Sequence, residues 1–481
     1  MKLPALLSLS TVVLLLSSCF YSSFVKYSMN KEGFKNFSKK EKLAGNTTNP
    51  HRAYHINKYD WNIQVFPDKK KLEGTMGIHF SPEIAQDTFL FDLQKRMKIY
   101  DFKTSIPNSS IKRKGDLLYL IFEGNIPANK RVLFSINYGG KPVSVAGEGP
   151  MNWKEDLKFR PWISTITEGI GPHFIMPCSA LLGKEPDSTE INITAPLALI
   201  AAANGQLLER KENKEKQTAT TSFLVSYPIN IYNISFNLGH FVKFIKPYTD
   251  IKGNPREIEC YVLDYNQEVA DTFYNQAPKM MQVFEEAYGS FPWWNDGCRF
   301  IESTFSAMEH QSGIAMGDDY NYDWKDEWNT TLAHELAHEW WGNNITGIDY
   351  CDIWIHEGMA TYSEALFLES IYGREAYESR IRKMVFSTYN SIPIHKVCGV
   401  LYNSWLNGPD QDIYDKGGLM MHSLRKVVNN DELFMTTLKQ IQEEYGPRNI
   451  SSEEMIEQLN TLLAKDYSPL LNWYLDEQKP P

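Results

Sequence analysis

The sequence predicts a multidomain α+β fold, with an N-terminal all-β, sandwich-like domain followed by a mainly helical one. Three observations predict it. At 481 residues the chain exceeds one ordinary domain, since a folding unit runs to roughly 150 residues. Between residues 52 and 245, short runs rich in aromatic and β-branched residues alternate with Gly, Pro, Asn and Asp breaks, the pattern of many short strands. After REIECYVLD (256–264) the apolar spacing changes from strict alternation to the spacing of amphipathic helices.

In chain order, MKLPALLSLSTVVLLLSSC (1–19) has one positive charge, an apolar stretch of about a dozen residues and a small-residue ending. That is too short for a membrane span and right for an export signal. The ending Leu16-Ser17-Ser18-Cys19 resembles a bacterial lipoprotein signal, which implies cleavage after residue 18 and lipid on Cys19. An ordinary cleaved signal or an uncleaved anchor is the alternative. All three put the mature chain outside the cytoplasm, and the lipoprotein reading ties it to a bacterial cell envelope. Residues 19–50, polar and rich in Lys and Asn, read as a tether. The β domain is expected over 51–245, with strands at WNIQVF, LLYLIFE, RVLFSINYGG, TSFLVSY and NISFNLGHFVKFI. The second domain is expected over 246–481, with helices near 266–288, 326–343, 354–371, 374–388, 414–428, 431–445, 452–464 and 468–477 and a strand at RFIESTF (299–305).

Composition narrows the function. A net charge of -10 with no Lys/Arg run longer than three residues argues against nucleic acid as a partner, because phosphate binding needs a cationic face. Without Cys19, five of the six cysteines remain, and none forms a C-x-x-C pair, which disfavours a cysteine zinc site. Buried free thiols are expected, with one disulfide compatible with export.

The chemistry concentrates in LAHELAHEWWGNN (332–344). His334 and His338 are four residues apart, so on a helix both imidazoles share a face and reach one ion. Zinc suits neutral imidazole and takes a third protein ligand at a catalytic site. Glu357 supplies one, eighteen residues past His338 in WIHEGMATYSE, on the next predicted helix. Two core histidines bonded to backbone are the alternative. It is disfavoured because so many polar groups on apolar helices are costly to desolvate without a cation.

HELAHEWWGNNIT followed by WIHEGMATYSE resembles the gluzincin aminopeptidases of the aminopeptidase N type, which carry H-E-x-x-H, eighteen residues, then Glu. The resemblance implies a saddle-like β domain before a thermolysin-like catalytic domain. It also implies one catalytic Zn²⁺ held by His334, His338 and Glu357, with Glu335 as general base and Glu364 orienting a ligand. Ser306-Ala307-Met308-Glu309-His310 is similar to the family's G-A-M-E-N strand, with Ser for Gly and His for Asn. This implies that Glu309 binds the substrate's free amine beside Ala307 and Met308, and that the two replacements alter the pocket. Glu168, ten residues before Cys178, matches a second amine-binding position, although that segment lacks the family's Arg. IYDKGGLMMHSLR (413–425) is similar to the segment whose tyrosine stabilises the oxyanion, here Tyr414. Larger members add a helical cap, whereas this sequence ends at LLNWYLDEQKPP, so the resemblance implies a cap that is missing or supplied by another chain and, in the first case, a more open site.

The expected activity is therefore hydrolysis of N-terminal residues from peptides with a free amine. A metalloendopeptidase with the same zinc chemistry is the alternative enzyme, and a catalytically silent surface binding protein is the alternative from another class. Side-chain preference and oligomeric state are not legible.

Overall fold

The computed structural model describes residues 39–144, 149–317, 319–325, 327–390, 393–395, 398–400 and 412–476. The signal at 1–18, Cys19 and the first part of the expected tether lie outside them. The later part of that tether is docked onto the body. Arg52 is buried and pairs with Asp92 through two bonds of 2.7 and 2.8 Å, the bidentate geometry that favours Arg over Lys. Its Nη2 also donates to Ala44 O (3.3 Å), while Leu43 and Ala44 pack with Leu90 and Leu117.

Alternation builds the N-terminal half. In Tyr54–Phe66, Tyr59, Trp61, Ile63 and Val65 point inward and are buried, while the polar residues between them face outward, as the two-residue period of a strand requires. This strand lies in a seven-stranded sheet, between Thr189–Pro196 and Lys71–Pro82. A three-stranded sheet (Gln86–Asp92, Leu117–Ile126, Ser109–Lys114) and a four-stranded sheet (Ile200–Ala203, Phe236–Gly239, Pro161–Thr165, Met151–Glu155) share its core. Trp61 fills that core and donates to the Tyr138 hydroxyl (2.8 Å), which donates to Ile175 O (3.0 Å). Both buried polar tips are thus satisfied.

Phe241–Thr249 straddles the expected division at 245/246. It pairs antiparallel with Pro255–Leu263, which joins it to a five-stranded sheet completed by Cys298–Glu302, Gly313–Met316 and the short edge Ala307–Met308. Helices cover this sheet: α1 (Ala277–Tyr288), α2 (Thr330–Ala337), α3 (Trp354–Tyr372), α4 (Arg374–Ser387) and α5 (Asp412–Val428). α3 is buried on nearly every side as far as Leu368, so it is the central helix, apolar all round rather than amphipathic. α2, α4 and α5 pack against it.

α2 is shorter than the predicted 326–343. Asn329 caps its start by accepting from Leu332 N–H (2.6 Å). After Ala337 the chain turns, with Gly342 at φ +119°, a conformation costly for any residue with a Cβ. Bonds from Ile345 N to Trp340 O (3.0 Å) and from Gly342 N to Ile345 O (2.8 Å) hold that turn. Cys351 and Cys398 form a disulfide, and Cys178, Cys260 and Cys298 are buried free thiols. Among the described residues no helix is long and apolar enough to cross a membrane.

Candidate metal centre

His334 lies in the last turn of α2, and His338 follows it as the capping residue, still bonded from its N–H to His334 O (3.2 Å). The imidazoles therefore keep the helical one-turn spacing although the helix ends between them. Glu357, in the first turn of α3, places Oε2 3.2 Å from His334 Nε2 and 3.5 Å from His338 Nε2. Donor atoms of the three residues lie within 4.8 Å of one another.

The remaining ring nitrogens are committed. His338 Nδ1 donates to Trp341 O (2.8 Å), and His334 Nδ1 donates to Glu364 Oε1 (3.0 Å). A carbonyl can only accept, so His338 carries a proton on Nδ1, and Glu364 holds one on His334 Nδ1 in the same way; each Nε2 faces Glu357 and is the nitrogen a cation would take in place of a proton. Two fixed imidazole nitrogens and a carboxylate fit one zinc ion. The electrostatics agree. Burial works against charge on His334, but hydrogen bonds from Glu357 and Glu364 outweigh it and hold the ring up at about 10. Burial pushes Glu357 upward, and bonds from His334 and His338 more than offset it, keeping its carboxyl well below the usual range. The trio is built to surround positive charge.

Glu335 is buried beside this trio, and Glu309, Glu335 and His338 form a second group with ligand atoms within 4.8 Å of one another. Tyr414, in the first turn of α5, has its ring centroid 5.8 Å from that of His334. Burial, then Glu357, raise its hydroxyl far above the ordinary value, so it stays a donor. Ala307 and Met308 form the edge strand before Glu309. Glu168 comes from the β half, and burial followed by the neighbouring Glu309 and Glu357 push its carboxyl well up. Two carboxylates crowded together favour a cationic guest. All of these residues line one cavity of about 330 Å³. A larger open groove of about 910 Å³ beside Tyr248, Arg256 and Trp294 contains none of them.

Several contributors carried no signal in the sequence. Tyr232, from the β half, donates to Glu309 Oε1 (2.6 Å) and lies 3.2 Å from His356 Nδ1. His356 Nε2 accepts from Gly347 N–H (2.8 Å), so its proton sits on Nδ1 and donates to the tyrosine oxygen. Burial pushes His356 down to about 3, which keeps this chain of donors neutral until it ends on Glu309. Asn343 donates to the Glu309 carbonyl (3.0 Å). Arg380 of α4 bonds Glu364 Oε2 (2.8 Å) and Asp415 Oδ1 (3.3 Å), joining the carboxylate behind His334 to the residue after Tyr414. Only His356 had a cue, its place beside Glu357. The substituted positions behave differently from each other. Ser306 is exposed, whereas the His310 ring is fully buried against Phe305, has no hydrogen-bond partner among the described residues, and is pushed down to about 3 by burial.

An H-E-x-x-H helix answered by a glutamate from the following helix, over a mixed sheet, is the architecture of the gluzincin zinc metallopeptidases, and this chain has it. Residues 262–474 match the model of the peptidase family M1 domain. Among curated proteins, leukotriene A-4 hydrolase of Xenopus laevis is 21% identical over 360 residues, covering 71% of this chain and 56% of that protein. Leucine aminopeptidase 2 of Saccharomyces cerevisiae is 22% identical over 346 residues, covering 68% and 48%. The chain thus spans about half the length of these two relatives. Among solved structures, an M1 zinc metallopeptidase from Deinococcus radiodurans shares the fold at a TM-score of 0.74, with 17% identity over 89% of this chain and 95% of its own. A mutant of that protein with a bound Tyr-Ser-Ala substrate gives 0.75, with 17% identity over 89% and 96%.

Proposed function

We propose that the protein is a zinc-dependent aminopeptidase that releases N-terminal residues from peptides. The observation that carries this is the pair Glu309 and Glu168, set beside the metal trio and served by the Tyr232 donor. Carboxylates so placed hold an ammonium ion, and a substrate fixed by its amine is cut next to that amine. His334, His338 and Glu357 would hold zinc, which supplies polarisation of the scissile carbonyl and activation of water. Glu335 takes the proton from the attacking water and returns it to the leaving amine. Tyr414 donates to the oxygen that gains charge in the transition state. The aminopeptidase names among the relatives and the peptide bound to the mutant neighbour support this reading.

Glu335→Gln is expected to keep one zinc per chain by elemental analysis while lowering kcat by about a thousandfold or more, since general-base loss alone costs 10²–10⁴. N-acetylated peptides are expected to be poor substrates. Efficient cutting of blocked peptides would support an endopeptidase instead, and no cutting by the zinc-loaded protein would support a binding protein.

The reading extends to location: export, cleavage after residue 18, and lipid on Cys19 as the tie to a bacterial envelope. The supporting feature is the Leu16-Ser17-Ser18-Cys19 ending. Mass spectrometry of the protein expressed in a bacterial host is expected to find acylated Cys19 at the mature N-terminus. Cys19→Ala is expected to release the chain from the membrane fraction.

A further inference from the structure

We infer that Lys383 is a specificity residue that recognises a carboxylate on the leaving side of the peptide. The favoured substrates are then short peptides bearing an acidic side chain, or a free C-terminal carboxylate, within the few residues after the cleaved bond. The inference rests on the aminopeptidase reading and names the substrate class for that site.

The argument begins with charge on α4. Arg380 and Lys383 are three residues apart, hence on one face of the helix, and both line the cavity of about 330 Å³ that holds the metal trio. Arg380 is spent, because it is bonded to Glu364 at 2.8 Å and to Asp415 at 3.3 Å. The carboxylates of that wall are spent too. Glu364 gives its other oxygen to His334 (3.0 Å), and Asp415 gives its other oxygen to the Ser387 hydroxyl (2.6 Å). Lys383 is exposed and forms no ion pair among the described residues. Of the two side chains on this wall that are permanently cationic at neutral pH, it is the one left uncommitted.

Position along the substrate follows from the two flanks of the metal trio. Glu309 sets a carboxylate oxygen within 4.8 Å of a His338 ring nitrogen, whereas Glu364, Arg380 and the Tyr414 ring stand on the His334 side. The amine is held on the first flank, so the chain beyond the cleaved bond runs toward the second. An extended peptide advances about 3.3 Å per residue, which brings its next two or three residues to α4. A carboxylate at the amine end would meet Glu309 and Glu168, but at α4 it meets a free ammonium group. Like charges repel and opposite charges attract over these distances even where water penetrates.

The test compares unblocked peptides in two arms. One arm sets the C-terminal acid against the C-terminal amide of a neutral tripeptide. The other sets Asp against Asn at each of the second to fourth positions of amidated tetrapeptides. Wild type is expected to favour the carboxylate in at least one arm by lowering KM, and that arm identifies its source. Lys383→Glu is expected to swing the ratio of kcat/KM values about tenfold toward the neutral partner, in line with reversal of one exposed ion pair. Lys383→Gln is expected to abolish the preference, and it serves as the readout if the charge reversal does not fold. Arg382→Glu, on the same helix but outside the cavity lining, is expected to leave the ratio unchanged. An equal swing in Arg382→Glu, or no swing in Lys383→Glu and Lys383→Gln, overturns the inference. Wild-type cleavage of the neutral amides tests the aminopeptidase reading separately, because failure there removes the activity itself rather than the charge preference.

Discussion

Glu309 is held in place by a line of donors running from Gly347 N–H through His356 and Tyr232. Tyr232→Phe removes the hydroxyl that fixes one oxygen. A hydrogen bond to a charged group contributes about 1.5–3 kcal/mol, so KM for an unblocked aminoacyl substrate is expected to rise about tenfold or more, with zinc content unchanged. Because the lost contact serves ground state and transition state alike, kcat is expected to move much less, which steady-state kinetics reads directly. The legibility of such residues in the sequence follows how they work. His334, Glu335, His338 and Glu357 stand out because one helical turn and one helix–turn–helix bring them together, and that geometry writes a fixed spacing. Tyr232 and Arg380 act across contacts between elements far apart in the chain, so no spacing records them. The effect of His310 was not legible from its place in the strand motif, because it depends on packing: its ring lies against Phe305 and does not line the cavity.

Among elements, the crossing of α3 and α5 sets the distance between the metal trio and Tyr414. Gly358, next to Glu357, faces Gly417, three residues past Tyr414, so closely that a Cβ on Gly358 would lie 2.8 Å from Gly417 Cα, and one on Gly417 would lie 2.7 Å from Gly358 Cα. Those neighbours are backbone and cannot rotate away. Gly417→Ala would gain up to about 1 kcal/mol of helix propensity, but prising the helices apart costs typically 1–3 kcal/mol, so strain wins. The variant is expected to melt several degrees lower and to lose about tenfold in kcat while still binding one zinc. Unchanged kcat with normal melting would show that the crossing tolerates spreading. The helices themselves were readable because their apolar residues recur at helical spacing. Charged strands such as Gln206–Asn213 and Ser109–Lys114 were not, since they owe their form to hydrogen bonding with a neighbouring strand rather than to their own composition. The end of α2 was missed because it depends on Gly342 and the backbone turn around it.

Across the whole molecule the two halves meet through two small apolar clusters, one joining Ile166, Leu182 and Tyr232 to Phe305, Met308 and Ala315 and the other joining Ala202 to Tyr261 and Ile301, and through polar contacts. Asn204 donates to Gln311 O (2.7 Å), Gly205 N–H to Ser312 Oγ (2.9 Å) and Arg299 to Ala203 O (3.1 Å). Glu185 belongs to this seam, and burial pushes its carboxyl up to about 8 against the opposing hydrogen bonds of Thr346 and Asn449. A carboxyl raised in the folded state binds its proton more tightly there than in the unfolded chain. Its contribution therefore costs nothing below the unfolded value of 4.5, grows as pH rises toward 8, and is constant above. Glu185→Gln keeps the shape and removes the ionisation. Its stability relative to wild type is expected to rise steadily from pH 5, by a few kcal/mol in all, and to level off above pH 8, measured by urea unfolding across that range. A flat difference would locate the carboxyl in contact with water.

Glu168 reaches the cavity from one half, and Tyr232 of that half holds Glu309 at its edge; the metal trio comes from the other. A small guest that grips both is therefore a keystone as well as a substrate mimic. A non-cleavable dipeptide analogue carrying a free amine and a zinc-binding group adds about 2.7 kcal/mol at a hundred times its Kd, and that energy is shared across the seam. In calorimetry the halves are expected to melt together in its presence, at a higher temperature than in its absence. The N-acetylated analogue, which engages the trio alone, is expected to protect the helical half and leave the β half to melt on its own.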